Sequence, residues 1–454
     1  MKYSAINIGP IIKTLSMARQ PRELWAASFM FSRLMQCIYN AVEGTGAVII
    51  SPAKPEKDVA EVGIYPDRIY FRGDGDIRAI IQSALENFYA FYYGKGKNPE
   101  LSYFNIMVAY SEVETESCAI AYLNQKLDVM ELSNFPNDDR TLQTIYEIIS
   151  NKGDYPFAAN TEMIAKAQLE AHPEKKMKSH HRYYCIVQAD GDNIGTTVSH
   201  PGLADGKVME MSKALVHFGE KAVRLIKEFG GVPVYAGGDD LLFLAPVIGR
   251  NGEHIFSLLS SIEDEAFLEV REQVDPLGLK NDEGKAIRAS LSYGIQISYY
   301  KYPLYEALNE ARDLLFDTAK KKITDKKAVA WTLRKHSGGE FNAAFSRRNE
   351  TLWSQFINLI DATSDNDVVS AVAHKIRQEE ALVIQVLETR APDRLDALFD
   401  KILEMDYTRD RYFLAVKELM PTLFECVAQE SYISTLFSLL RTAKFIKGED
   451  LKDE

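Results

Sequence analysis

The chain has 454 residues, 46% of them hydrophobic and 26% charged, with a formal net charge of −12. This is the composition of a globular protein with ample core and roughly two to four domains, and it excludes a stand-alone basic nucleic-acid binder, so RNA contacts would need local basic surface or partner subunits. No apolar run approaches the roughly 20 residues of a membrane helix, the N-terminus lacks a secretory pattern, and Cys37, Cys118, Cys185 and Cys426 are scattered without a CxxC; no membrane, no zinc and a reducing, cytoplasmic setting are expected.

In chain order, residues 1–125 read as a mixed α/β unit. Tyr3 to Ile8 is a short strand, and Ile11 to Ile38 is helical with a break at Pro21. Ala47 to Ile50, Arg68 to Phe71 and Phe104 to Tyr110 are further strands, and Ile80 to Tyr93 is an amphipathic helix. Residues 126–181 read as a helical connector with turn clusters at Phe135 to Asp138 and Gly153 to Pro156. It closes in a charged linker from Glu174 to His181, whose adjacent His180 and His181 read as solvated.

Residues 182–338 form a second α/β unit. The strand Tyr183 to Gln188 enters Asp190, and Lys207 to Phe229 is a long amphipathic helix ended at Gly230-Gly231. Val232 to Tyr235 and Leu241 to Ala245 flank an acidic hairpin tip. Ile287 to Tyr300 is a strand, Leu304 to Lys322 a helix and Ala328 to Leu333 a closing strand. The two α/β units look like a weak internal repeat. Residues 339–454 carry helical periodicity without a strand pattern, which predicts an all-α bundle.

Two acidic turns carry the chemistry: Asp190-Gly-Asp-Asn-Ile-Gly195 at a strand end, and Tyr235-Ala-Gly-Gly-Asp-Asp240 between two strands. Asp-Gly and Gly-Asp pairs are ordinary turn chemistry. Here, however, both turns belong to one α/β unit, and the long helix between them suits a crossover that sets their strands side by side. A strand-end carboxylate facing two more on a hairpin suits two Mg2+ or Mn2+ ions for phosphoryl transfer. Asp190, Asp239 and Asp240 are therefore the expected catalytic and metal residues. Gly237 and Gly238 would supply positive φ and room for phosphates, with Gly191 and Gly195 opposite. Asp192, Asn193, Ile194 and Ser292 are expected around the nucleotide, and Lys320 at the triphosphate.

On these motifs the chain resembles the large subunit of type III CRISPR effector complexes, Cmr subtype. The resemblance rests on Asp190–Asn193, Tyr235–Asp240, Ala289–Ile295, Tyr299–Leu308 and, at the N-terminus, Ile8–Ile12 with Ala18-Arg19 and Leu24–Ser28. It implies two adenylate-cyclase-like (ferredoxin-like) palm domains, a connector and a C-terminal helical domain. It also implies partner subunits, crRNA and target RNA, and conversion of ATP to an adenylate messenger. That messenger is either a cyclic oligoadenylate or AMP joined to an acceptor such as S-adenosylmethionine. The first palm, lacking a GGDD, would offer a second nucleotide surface. Because the sequence starts in the first palm and has no His-Asp dipeptide, no HD nuclease is expected. A stand-alone GGDEF-like cyclase and a non-catalytic RNA-binding scaffold are the competing readings.

Overall fold

The computed structural model describes residues 1–55, 62–73, 75–94, 103–132, 160–363, 367–403 and 411–449, with the side chains of 367–370 and 401–403 left aside. Both turn clusters expected in the connector lie outside them.

The first unit runs β1 (Lys2–Gly9), α1 (Ile11–Ser16), α2 (Pro21–Gly44), β2 (Val48–Ser51), β3 (Arg68–Arg72), α3 (Ile77–Tyr93) and β4 (Asn105–Glu112). Its antiparallel sheet has the order β2-β3-β1-β4. β1 is buried from Tyr3 to Gly9 because both sheet faces are covered. Ile6 and Ile8 pack under α2 and α3, while Tyr3 and Ala5 join the core of the second unit. After β4 come α4 (Glu116–Glu131), α5 (Thr161–Ala165) and α6 (Ala167–Ala171).

The second unit repeats the pattern with β5 (Tyr183–Asp192), α7 (Ile194–Val198), α8 (Lys207–Phe229), β6 (Val232–Gly237), β7 (Asp240–Pro246), α9 (Ile255–Ser261), α10 (Leu268–Val274) and β8 (Ser290–Tyr299). Here β8-β5-β7-β6 lie in the same order as β4-β1-β3-β2, and the sheet extends through β9 and β10. The weak repeat in the sequence is thus a repeated βαββαβ topology. One expectation is corrected. The crossover helix α8 delivers β6 to the sheet edge, and β7, not β6, lies against β5.

α11 (Leu304–Asp313) continues as a π-helical turn, Leu314–Lys320, and leads to β9 (Ala328–Arg334), parallel to β8. β9 does not close the sheet. β10 (Glu340–Ser346) pairs antiparallel with it, so the region from residue 339 is not wholly helical. Its Ala343 and Phe345 face the core. Among the described residues, six helices follow: α12 (Glu350–Ala362), α13 (Asp367–Gln378), α14 (Glu380–Glu388), α15 (Pro392–Leu403), α16 (Arg411–Cys426) and α17 (Gln429–Lys447).

Specific contacts lock the layers. Arg347, 2% exposed, donates to Glu263 at 3.0 Å and to the Leu291 carbonyl at 2.9 Å, and stacks on Tyr293 and Trp353. Trp331 of β9 donates to Thr442 of α17 at 3.2 Å. Between the two units, the Ala236 amide donates to the Gly63 carbonyl at 2.8 Å, and Ser212 of α8 accepts from the Ala53 amide at 2.7 Å.

Candidate functional site

The ladder between β5 and β7 ends at the pair Ala189 and Leu241. Continued by two steps, the same register sets Asp190 opposite Asp240 and then Gly191 opposite Asp239. Alternation puts Asp190 in one row with Gln188, and Asp240 in one row with Leu242. Gln188, Asp240 and Leu242 all line the cleft between the two units, so the acidic end of the sheet opens onto that cleft.

Gly191 permits this approach. A Cβ there would stand 2.6 Å from both Cβ and Oδ2 of Asp239, too close for any side chain. The hairpin turns at Gly238, whose φ of +67° is the left-handed region glycine occupies without strain. Gly237 does not share that role. It is in β6, and a Cβ there would strike the Tyr235 ring at 2.5 Å from its hydroxyl. Gly195, in α7, has open space around it.

The electrostatics are those of crowded carboxylates. Burial, and then the charge of Asp240, holds Asp239 well above the ordinary carboxylate range. Burial followed by Asp67 does the same to Asp240. Asp190 is neutralised differently, because the Lys320 ammonium sits directly on its Oδ2. Lys320 also donates to the Gly191 carbonyl at 3.0 Å and lies 4.0 Å from Asp192. Burial and the neighbouring Lys326 pull Lys320 downward, while its contact with Asp190 favours the charged amine.

Among the described residues, no group of three or more His, Cys, Asp or Glu side chains stands ready as a metal-holding set. The donor chemistry nevertheless fits a hard divalent cation. Asp239 and Asp240 are crowded, partly desolvated carboxylates that such a charge would relieve, while Asp190 would have to part from Lys320.

Several expected nucleotide contacts are structural instead. Asp192 is 1% exposed and accepts from Ser290 at 2.8 Å, Ser292 at 2.9 Å and the Lys327 amide at 2.9 Å. Ser292 is fully buried and also accepts from the Ala328 amide at 3.1 Å. The two residues tie β5, β8 and the turn before β9 together, and both are buried. Asn193, at φ +67°, donates to the Arg288 carbonyl at 2.9 Å. Ile194 is core. His180 and His181 are buried at 4% and 2%, not solvated.

Sequence reasoning missed the other wall. The cleft has a volume of about 240 Å³. Ile11, Leu15 and Phe31 of the first unit and Leu308 and Phe316 of the second form its apolar part. Asp67, Asn309 and Arg312 add polar groups. These come from segments far apart in the chain, so no local motif announces them.

Two family profiles match. "Cas10/Cmr2, second palm domain" covers residues 183–330 and "CRISPR-associated protein Cmr2, N-terminal" covers residues 3–84. The CRISPR system Cmr subunit Cmr2 of Pyrococcus furiosus is 32% identical over 186 residues, 35% of this chain and 19% of that protein. The match thus spans about a fifth of that relative's length. A Csm1–Csm4 cassette in complex with AMPPNP matches at TM-score 0.56 and 12% identity, covering 98% of this chain and 69% of that one. A type III-B Cmr-beta structure in the apo state matches at 0.55 and 10%, covering 84% and 75%. At such identities the structural likeness concerns the fold alone. With both profiles, it bears out the resemblance to the Cmr-type large subunit and the α/β fold with palm domains.

Proposed function

We propose that this chain is the palm subunit of an RNA-guided type III complex, and that its second palm transfers the adenylyl group of ATP to an acceptor hydroxyl or equivalent nucleophile, producing an adenylate messenger. The observation that supports this is Asp240 in the lining of a cleft walled by both palms, with Asp239 before it in the hairpin and Asp190 at the adjoining end of β5. Similar proteins support it, since a Csm1–Csm4 cassette is described in complex with AMPPNP and another with cA4.

In this reading Asp190, Asp239 and Asp240 hold magnesium or manganese, which when bound neutralises the triphosphate and acidifies the attacking group. The chain's own residues do the rest. Ile11, Leu15, Phe31 and Leu308 offer an apolar bed for a base, and Asn309 and Arg312 offer polar selection. Gly191 and Gly238 keep the backbone low where phosphates pass. Once Asp190 is released, Lys320 supplies a mobile positive charge beside the α-phosphate. The acceptor oxygen gives up its proton, where it carries one, to solvent and bonds to the α-phosphorus, the bond to the β-phosphate bridge breaks, and pyrophosphate leaves. The acceptor is a second ATP or a small molecule such as S-adenosylmethionine.

The test is product identification. The complex is assembled with partner subunits, crRNA and target RNA, then supplied with ATP and magnesium or manganese, with and without S-adenosylmethionine. Mass spectrometry should find an adenylate product that Asp239→Ala/Asp240→Ala abolishes. Product in equal yield from that variant would refute the proposal.

A further inference from the structure

A second cavity, of about 520 Å³, lies where the segment before β5, the loop after β7 and the end of α17 meet. Its charge is opposite to that of the chain as a whole. Lys175, Lys176, Lys178 and Lys447 line it, against the single carboxylate of Asp361. Among the described residues the nearby acids are engaged elsewhere: Glu174 with His172, Glu449 with Lys444, and Asp361 toward His254 at 3.9 Å.

One buried side chain in its wall, Gln168, has a donor group beside the cavity. The Lys178 amide donates to Nδ1 of His181 at 2.8 Å, so the His181 proton resides on Nε2, which donates to Oε1 of Gln168 at 2.8 Å. This fixes the Gln168 amide. Its NH2 group turns away from His181, toward Gly252, and makes no hydrogen bond within the described residues, although Gln168 is only 6% exposed. Beside it, His180 is 4% exposed, and its ring is enclosed by the Ile446 backbone, Gly448 and His181. Burial, His181 and Lys178 push His180 down to about 3, so the ring adds no charge to the cavity wall.

The wall is also rigid. The Ser179 amide donates to the Glu449 carbonyl at 2.9 Å, and Lys178 Nζ to the Lys447 carbonyl at 3.3 Å. Any side chain at Gly448 would collide with His180. Four lysines and the fixed Gln168 amide match an anion that has several acceptor oxygens and carries more than one charge.

We propose that this cavity binds a phosphoryl group, separately from the carboxylate hairpin, and that the group belongs either to an RNA strand or to a free nucleotide. The full chain is tested without added metal, as wild type, as Lys175→Glu/Lys176→Glu (both residues are exposed) and as Asp239→Asn/Asp240→Asn. One arm measures the Tm shift with millimolar pyrophosphate. The other measures fluorescence anisotropy of a 5′-phosphorylated single-stranded RNA across a salt series. Pyrophosphate should raise the Tm of the wild type and of the hairpin variant, but not of the lysine variant. With RNA, the lysine variant should bind about tenfold more weakly, and its salt slope should be shallower by roughly 1.4. A response to pyrophosphate alone assigns the site to free nucleotides, and a response to both assigns it to RNA as well. Equal responses from the wild type and the lysine variant would overturn the proposal, as would loss of response in the hairpin variant alone.

Discussion

Substituting Gly191→Ala separates catalysis from stability. The new Cβ would stand 2.6 Å from Asp239 Cβ and Oδ2 and 2.8 Å from Ile194 Cγ1, where ordinary contact begins at 3.4 Å. The Asp239 side chain must therefore retreat by roughly 0.8 Å, since the strand backbone of β5 is held by β7 and β8 on either side. Overpacking of this kind costs about 1–3 kcal/mol of stability, while a displacement near 1 Å at a reacting group costs on the order of 100-fold in rate. The assay pairs thermal unfolding with initial rates of adenylate formation in the assembled complex. The control is Gly195→Ala, where a Cβ meets nothing within 4 Å; it should leave both readouts unchanged. If Gly191→Ala retained activity within about threefold of wild type, the close approach of Asp239 to β5 would not matter to the chemistry and the reasoning would fail.

Three more outcomes are expected. Ser292→Ala removes a buried hydrogen bond to Asp192 and the acceptor for the Ala328 amide; it should cost about 1–3 kcal/mol in denaturant unfolding with the KM for ATP unchanged, and a large KM rise with intact stability would return Ser292 to the nucleotide pocket. Arg347→Met strands Glu263 without its counter-ion and should cost about 3–5 kcal/mol, most of it recovered in Glu263→Leu/Arg347→Met; no recovery would point to the ring stacking instead. Because Asp239 and Asp240 have raised pKa values in the folded state, folding takes up protons and their burden on stability grows as pH rises above about 4. It is complete only above the raised values, so Asp239→Asn/Asp240→Asn should unfold at higher temperature than wild type at pH 8, with the gap closing toward pH 4. Added magnesium should stabilise the wild type alone. A pH-independent gap would contradict the charge crowding.

What was legible in the sequence was what local pattern controls. The helix Lys207–Phe229 carried its apolar face and its terminating glycine in plain order, and β5 through β7 carried short apolar runs, the last two around a glycine turn. The acidic hairpin was legible because the GGDD tip lies between two apolar strands. β10 was not, because Asn342, Ala343 and Ala344 have little strand preference and are held by pairing with β9. His180 and His181 stand among lysines and read as solvated; their burial depends on Ile446, Gly448 and Glu449, which lie some 270 residues away in sequence. Asp192 sits two residues beyond Asp190 in the same strand, yet the serines of β8 enclose it. Asp67 and Arg312 reach the cleft only through the docking of one palm on the other, and no spacing in the chain encodes that.

The most direct measurement is the rate of adenylate formation from radiolabelled ATP by the assembled complex, with and without target RNA, for wild type and for Asp190→Asn, Asp239→Asn and Asp240→Asn separately. The account predicts product from the wild type only when target RNA is present, and a loss on the order of 100-fold or more for each carboxylate variant in complexes that still assemble. Wild-type rates in any two of those variants would contradict the claim that these carboxylates form the catalytic site.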